Sequence, residues 1–370
     1  MKIERIEMAH LMLPYVHFFE TSFSREYERS FILLKVFAEG LCGWGEVVAE
    51  RAPLYSAETT ETAWHVLKDF LIPMVFKEDI GEPEDFYRAA GRFRGHPMAK
   101  SGLELAFWDL RARRAGVPLW KLYGGTQMDI AAGVSCGIED TLPELQKMVA
   151  RYLDQGYRRI KLKIKPGWDV DACRAIREEF PGILLQVDAN GAYSPADADQ
   201  LKKLDGFDLL LIEQPFRPYD LWDHSRLQKQ LKTPLCLDES ILSEETARAA
   251  VEMGACRIIN IKVGRVGGVV EMRKIHDDCR SRGVPVWCGG MLESGIGRAH
   301  NLHIATLPNF KLPNDLSASS RYYKEDLIDP PIELSGPGTI RVPMDPGIGV
   351  FPVEERIRRA TVRQEVFRAD

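Results

Sequence analysis

With 49 Lys and Arg against 54 Asp and Glu, the 370-residue chain carries a formal charge of −5, a mild acidity that argues against nucleic acid as the main partner because phosphate binding needs a basic surface or patch. Charged residues at 28% and hydrophobic ones at 45% fit a globular protein with a large core; no apolar run approaches a membrane span, and the charged start MKIERIEMAH is unlike a signal peptide. The seven cysteines are scattered, without a Cys-x-x-Cys pair, so they read as reduced thiols of a cytoplasmic protein and not as a zinc site.

In chain order, the first 50 residues read as strands: KIERIEMAHLML, RSFILLKVFAEG and GWGEVV. Between the first two, PYVHFFETSFSREYE reads as a loop or a long hairpin connection. Residues 57–114 read as helical. In MAKSGLELAFWDLRARRAG, Ala99, Leu103, Ala106 and Leu110 share one face and Gly116 follows as a stop. From about residue 130, short apolar runs (AAGVSCGI, RIKLKI, GILLQVDAN, DLLLIEQP, TPLCLDES, RIINIKVG, VPVWCGG) alternate with amphipathic helical stretches. Such alternation implies parallel strands, and seven of them, with an eighth before LPNDLS, suit a closed (β/α) barrel. The Pro- and Gly-rich end from about 330 reads as a surface-running tail that packs back on the first unit.

The strand ends carry charge. Lys163, Asp188, Glu213 and Asp238 stand 25 residues apart in turn, and Lys262 follows 24 later. Each interval is one βα repeat, so five ionisable residues occupy equivalent positions on five strands, at the mouth where barrels host chemistry. Inward charge beside a core is costly unless neutralised. Three acids meeting there call for a cation. All-oxygen ligands favour a hard ion, Mg²⁺ before Mn²⁺. In IKLKI, Lys161 and Lys163 share the face that looks toward this site, Lys262 lies across the mouth, and Lys165 is expected in solvent. Two amines flanking a metal-bound substrate can move a proton at carbon, and crowding by cations, with Arg265 nearby, is expected to bring such a lysine to roughly 7–8.

The pattern resembles the enolase superfamily and its muconate-lactonising-enzyme-like subgroup: Lys161-x-Lys163, then Asp188, Glu213 and Asp238 as metal ligands, then Lys262. Superfamily sites with a lysine or histidine base and magnesium are a known pattern. KLKIKPGWDV, LLQVDANGAY, LLLIEQPF, CLDES, NIKVGRVGG, VWCGGMLESGIGRAHN and LPNDLSASSRYY are similar to the o-succinylbenzoate synthase and N-succinylamino acid racemase family, as are TSFSREYE, GWGE, PLYSAET and GHPMAKSGLELAFWD in the first zone. Lys165 departs from that family, where an acidic residue is usual. Asp315-Leu316-Ser317 departs from the Asp-x-Asp of dipeptide epimerases.

The resemblance implies an α+β capping domain over residues 1–125, a (β/α)7β TIM-like barrel over 126–325, and a C-terminal segment, 326–370, that completes the cap. It implies a small-molecule carboxylate as substrate, a homo-oligomer, and two reactions that start by removing a proton beside a carboxylate. One is dehydration to o-succinylbenzoate in menaquinone synthesis; the other is racemisation of N-succinyl or other N-acyl amino acids. Lys163 and Lys262 would be the acid/base pair, with Lys161 a cation at the carboxylate. Phe19, Tyr55, Ser135, Asn190, Met291 and Ser317 are candidates for substrate contact. His96, His300 and His303 read as structural, and VGRVGG as a carboxylate or amide seat or a tight turn. A muconate-type cycloisomerase and a non-catalytic binding barrel are the alternatives.

Overall fold

Two long antiparallel strands, β1 (Arg5–Glu20) and β2 (Arg25–Ala38), open the chain in a computed structural model that describes residues 2–78 and 80–369. Their register runs from Arg5↔Phe37 to Glu20↔Arg25, with one irregularity between Pro14 and Phe19. Proline has no N–H to give to a ladder, so a bulge next to it is the expected local outcome. The aromatic stretch 14–28 is therefore strand with residues 15–18 bulged out of the pairing, up to a tight tip at 21–24. Strand β3 (Leu41–Val47) completes this side of the sheet. Helix Pro97–Arg114 crosses β3 where a side chain at Gly43 or Gly45 would collide with helix backbone. The bare glycines allow that close approach.

The second unit starts with β4 (Asp129–Ala131) and β5 (Gly133–Cys136). It continues through β6 (Arg159–Lys163), β7 (Leu184–Asp188), β8 (Ile212–Glu213), β9 (Leu235–Leu237), β10 (Ile258–Ile261) and β11 (Val286–Cys288). Strands β5 to β11 pair in sequence order, all parallel. Phe310 bridges Val286 on one side and Asn314 bridges Ala132 on the other. Residues 310–314 thus take the eighth place, and the ring closes. On β6, Ile160 and Leu162 pack among the outer helices, while Lys161 and Lys163 are only 2% and 7% exposed. A pattern that would suit a half-wet strand is dry on both faces.

The tail is more ordered than its composition suggests. β12 (Thr339–Arg341) pairs with β4, and β13 (Thr361–Arg368) adds an outer strand to β1, giving the order β13-β1-β2-β3. Between the units, buried carboxylates satisfy free helix N–H groups. Glu46 of β3 accepts from Ser294 N, Ser294 Oγ and Gly297 N at the start of helix Gly295–Ile304. Glu104 accepts from Val270 N at 3.0 Å. VGRVGG ends in the turn that lets Glu104 in: a side chain on Gly268 (φ 129°) would strike its carboxylate. The turn seats a carboxylate, and it is the chain's own. His300 Nε2 meets Trp44 O at 2.8 Å and His303 Nε2 meets Ile348 O at 3.0 Å, with burial pushing the rings down to about 3 and about 4. Among the described residues, no helix is long and apolar enough to cross a membrane.

Candidate active site

At the carboxyl ends of the parallel strands, charge is concentrated in a dry setting. Asp188 ends β7 and Glu213 ends β8; Asp238 and Lys262 follow β9 and β10 by one residue, and the three acids are fully buried. Lys161 Nζ lies 3.2 Å from Asp188 Oδ2, 3.0 Å from Glu213 Oε2 and 2.5 Å from Asp315 Oδ2. Lys163 Nζ reaches Asp188 Oδ2 and Asn190 Oδ1, each at 2.6 Å. Across the ring, Lys262 Nζ lies 2.9 Å from Asp238 Oδ2 and 3.1 Å from the Tyr55 hydroxyl. Arg265 pairs with Asp238 Oδ1 and donates to Tyr55 at 3.2 Å. Main chain and amides orient the acids further: Asn190 N–H donates to Asp188 Oδ1, and Asn260 Nδ2 to Glu213 Oε1.

These contacts set the protonation balance. Burial works against charge on Asp188, but Lys163 and Lys161 outweigh it and hold its carboxyl below the usual range. Glu213 is pushed up by burial and by Asp188 beside it. Burial lowers Lys262, yet the groups facing it, Tyr55, Glu239, Glu213 and Asp188, prevail and push it up; Asp315, Glu213 and Asp188 do the same for Lys161. This reverses the expectation of near-neutral amines from crowding. Around Lys161 and Lys262 the nearest charges are anionic, and the nearby Arg265 is engaged by Asp238.

The chamber above is narrow as the side chains stand, with a cavity volume of about 50 Å³. Lys161, Lys163 and Lys262 line it together with Phe19, Tyr55, Ser135, Asn190 and Met291. Ser317 is not among the lining residues. Asp315 directly follows the eighth place of the ring, and by Ala318 the chain has turned to donate its N–H to Tyr157. Lys165 keeps part of its side chain in solvent, and its ammonium lies 3.0 Å from Glu20 at the hairpin tip, where it pins the cap. Ser22 Oγ donates to Ala189 O, and Ile138 N–H to Glu20 O, so the tip lies over the mouth.

Several residues at this site went unread in the sequence. Asp315 ties Lys161 to Arg159 (2.7 Å) and accepts from Ser135 Oγ (3.2 Å). It sits at a strand end like the others, so the same positional rule would have found it. Glu26 and Glu50 also line the chamber; they come from the cap, where no repeat marks them.

Asp188, Glu213 and Asp238 form an all-oxygen set on three consecutive strands, which fits a hard divalent ion. As the side chains stand, each is drawn to a lysine or arginine. Accordingly, among the described residues no three His, Cys, Asp or Glu groups are gathered as a ready ligand cluster. The fit lies in the donor chemistry and in the amides that aim the second oxygens of Asp188 and Glu213.

Residues 7–124 match the N-terminal domain of mandelate racemase / muconate lactonizing enzyme, and residues 144–356 match the enolase C-terminal domain-like family. The chain belongs to the enolase superfamily. It is 52% identical to an o-succinylbenzoate synthase of Geobacillus stearothermophilus, over 99% of this chain and 97% of that one. It is 47% identical to an N-succinylamino acid racemase of Thermus thermophilus, over the whole of both chains. The solved structure of an enolase superfamily member from Listeria innocua superposes with a TM-score of 0.95 at 39% identity, covering both chains fully. Enzymes of this superfamily use a divalent metal ion, so the donor set and the family agree.

Proposed function

We propose that this protein is a magnesium-dependent, enolate-forming enzyme, with Mn²⁺ as a substitute ion, whose one site serves both o-succinylbenzoate formation and racemisation of N-succinyl or other N-acyl amino acids. What supports the reading is the pair of amines on opposite walls of one chamber: Lys163 on β6 and Lys262 after β10 are four strands apart in a ring of eight, and both line the same space. Full-length similarity to relatives bearing both names agrees with it.

An ion held by Asp188, Glu213 and Asp238 would supply positive charge to the substrate carboxylate oxygens as the neighbouring proton leaves. Lys161 adds an ammonium to the same end, held by Asp315 from below. In racemisation Lys163, as the free amine, takes the α-proton from one face. Lys262, as ammonium, delivers a proton to the other face, and the roles exchange for the opposite enantiomer. In dehydration Lys163 takes the proton and passes it to the departing hydroxide, which leaves as water from the same face. Lys262 then stays charged beside the ring plane, a cation–π role. The hairpin tip and the stretch around Tyr55 cover the mouth and keep bulk water from the enolate.

Two assays test the reading on the same protein with Mg²⁺ supplied. Ultraviolet absorbance follows aromatisation of the cyclohexadiene carboxylate precursor, and proton NMR in D₂O follows α-hydrogen exchange of an N-succinyl amino acid. Activity in both is expected; silence in both rejects the proposal in favour of a binding barrel.

A further inference from the structure

The barrel wall of the chamber is taken up by the chemistry above, but the wall supplied by the cap is not. It carries two carboxylates, Glu26 on β2 and Glu50 just beyond β3. Among the described residues, neither carboxylate joins an ion pair within 4.0 Å or a side-chain hydrogen bond. Glu50 Oε2 is shut off from solvent and has no partner at all. Burial is the largest influence on both groups and pushes both up.

Arg29 is the cation expected to neutralise them. It acts on both from a distance, but its guanidinium donates to Val48 O and reaches neither carboxylate within 4.0 Å. The remaining cap residues on this wall, Tyr15, Phe19, Thr21, Phe23, Ser24 and Tyr55, are uncharged. Lys163 and Lys262 line the same chamber as Glu50, and their charges are felt at its carboxylate. A buried, unpartnered carboxylate oxygen is costly, and an entering cation that hydrogen-bonds it offsets that cost.

We propose that Glu26 and Glu50 recognise a positively charged substrate side chain, so that the preferred N-acyl amino acid is lysine- or arginine-like. Its ammonium or guanidinium meets the two carboxylates while the α-carbon lies between Lys163 and Lys262. The proposal rests on the reading of the chamber as a racemase site. It divides the labour: the barrel handles the carbon acid that every substrate shares, and the cap reads the part that differs.

The test is kcat/KM for α-hydrogen exchange in D₂O, with Mg²⁺, on N-succinyl-L-lysine, N-succinyl-L-arginine and the uncharged N-succinyl-L-norleucine. The wild-type protein is expected to favour the two cationic substrates by about tenfold or more, the size of one charge-assisted hydrogen bond. Glu50→Gln and Glu26→Gln are each expected to shrink that ratio several-fold, chiefly through KM, and added salt is expected to shrink it too. Equal rates on lysine and norleucine substrates overturn the inference and leave racemisation standing, as does a preference that survives in the double Gln variant. No exchange with any of the three removes the racemase reading and this inference with it. The wild-type ratio needs no variant, so a substitution that fails to fold does not decide the matter.

Discussion

Lys262→Ala separates the two halves of the proton traffic. The amine lies 2.9 Å from Asp238 Oδ2 and 3.1 Å from the Tyr55 hydroxyl. Without it Asp238 keeps its pair with Arg265 and its hydrogen bonds from Tyr55 at 3.2 and 3.3 Å. The buried carboxylate is not orphaned, so the stability loss is expected at about 1–3 kcal/mol and not the roughly 3–5 seen when a buried charge loses its sole partner. The rate effect is larger. A positioned acid–base group contributes roughly 10²–10⁴-fold, so racemisation is expected to fall by about 10³. Exchange of the single enantiomer whose α-hydrogen faces Lys163 is expected to persist. Proton NMR in D₂O, started separately from each enantiomer of an N-succinyl amino acid, reads both quantities, and a thermal melt reports the fold. Comparable exchange of both enantiomers, or loss of both in a folded, metal-binding variant, refutes the assignment of one amine to each wall.

Removal of divalent ions with a chelator is expected to abolish exchange and Mg²⁺ to restore it better than Ca²⁺; exchange that survives chelation counts against the acid ring. Lys165→Ala cuts the tie to Glu20, which Arg25 still holds; the partly exposed pair is worth no more than about 1 kcal/mol, so the melt should barely move while KM rises, and an unchanged KM argues against pinning. Burial pushes Glu46, Glu58 and Glu104 each up to about 7. An acid whose folded value exceeds its unfolded one binds protons more tightly when folded, so stability falls as pH rises from about 4.5 to about 7. Glu104→Gln, which keeps an acceptor for Val270 N–H, should therefore raise the melting temperature at pH 8 and change it little at pH 4.5; the opposite order rejects the burial argument.

The barrel and its charged rim were legible because one βα unit has a nearly constant length. A recurring interval of 24 or 25 residues carries both the topology and the direction of Lys163, Asp188, Glu213, Asp238 and Lys262. The run breaks at β11, which ends in Cys288, so Asp315, just past the eighth place, was read only against the Asp-x-Asp pattern and not as a site residue, although it pairs with Lys161. Ser317, read as a strand-end position, lies two residues past Asp315 and does not line the chamber. In the cap, strand-forming aromatics between Pro14 and Glu28 blurred into loop-like composition, and only pairing with β2 settles their register. Glu26 and Glu50 belong to a different unit, on β2 and just beyond β3, and no periodicity in one chain segment reports which barrel mouth they overhang. The direction of the lysine shifts was also illegible: it depends on how many anions surround each amine, and that count is a property of the closed ring.

How the cap is attached decides where selectivity can vary. Its root is stitched to the barrel through groups that cannot slide. Glu46 accepts from Ser294 and Gly297, Glu104 from Val270, and the ring of His300 is fixed on Trp44 O. Each backbone N–H left unpaired by a shift would cost about 1–3 kcal/mol in so dry a seam. The outer end is held differently, by Lys165 on Glu20, Arg25 on Asp140, Ser22 on Ala189 O and the Ile138 N–H on Glu20 O, contacts that are part-exposed or single. Substitutions that retune the substrate without unfolding the protein therefore belong at residues 19–26 and 50–55, and the two unpaired carboxylates of the chamber fall within those stretches.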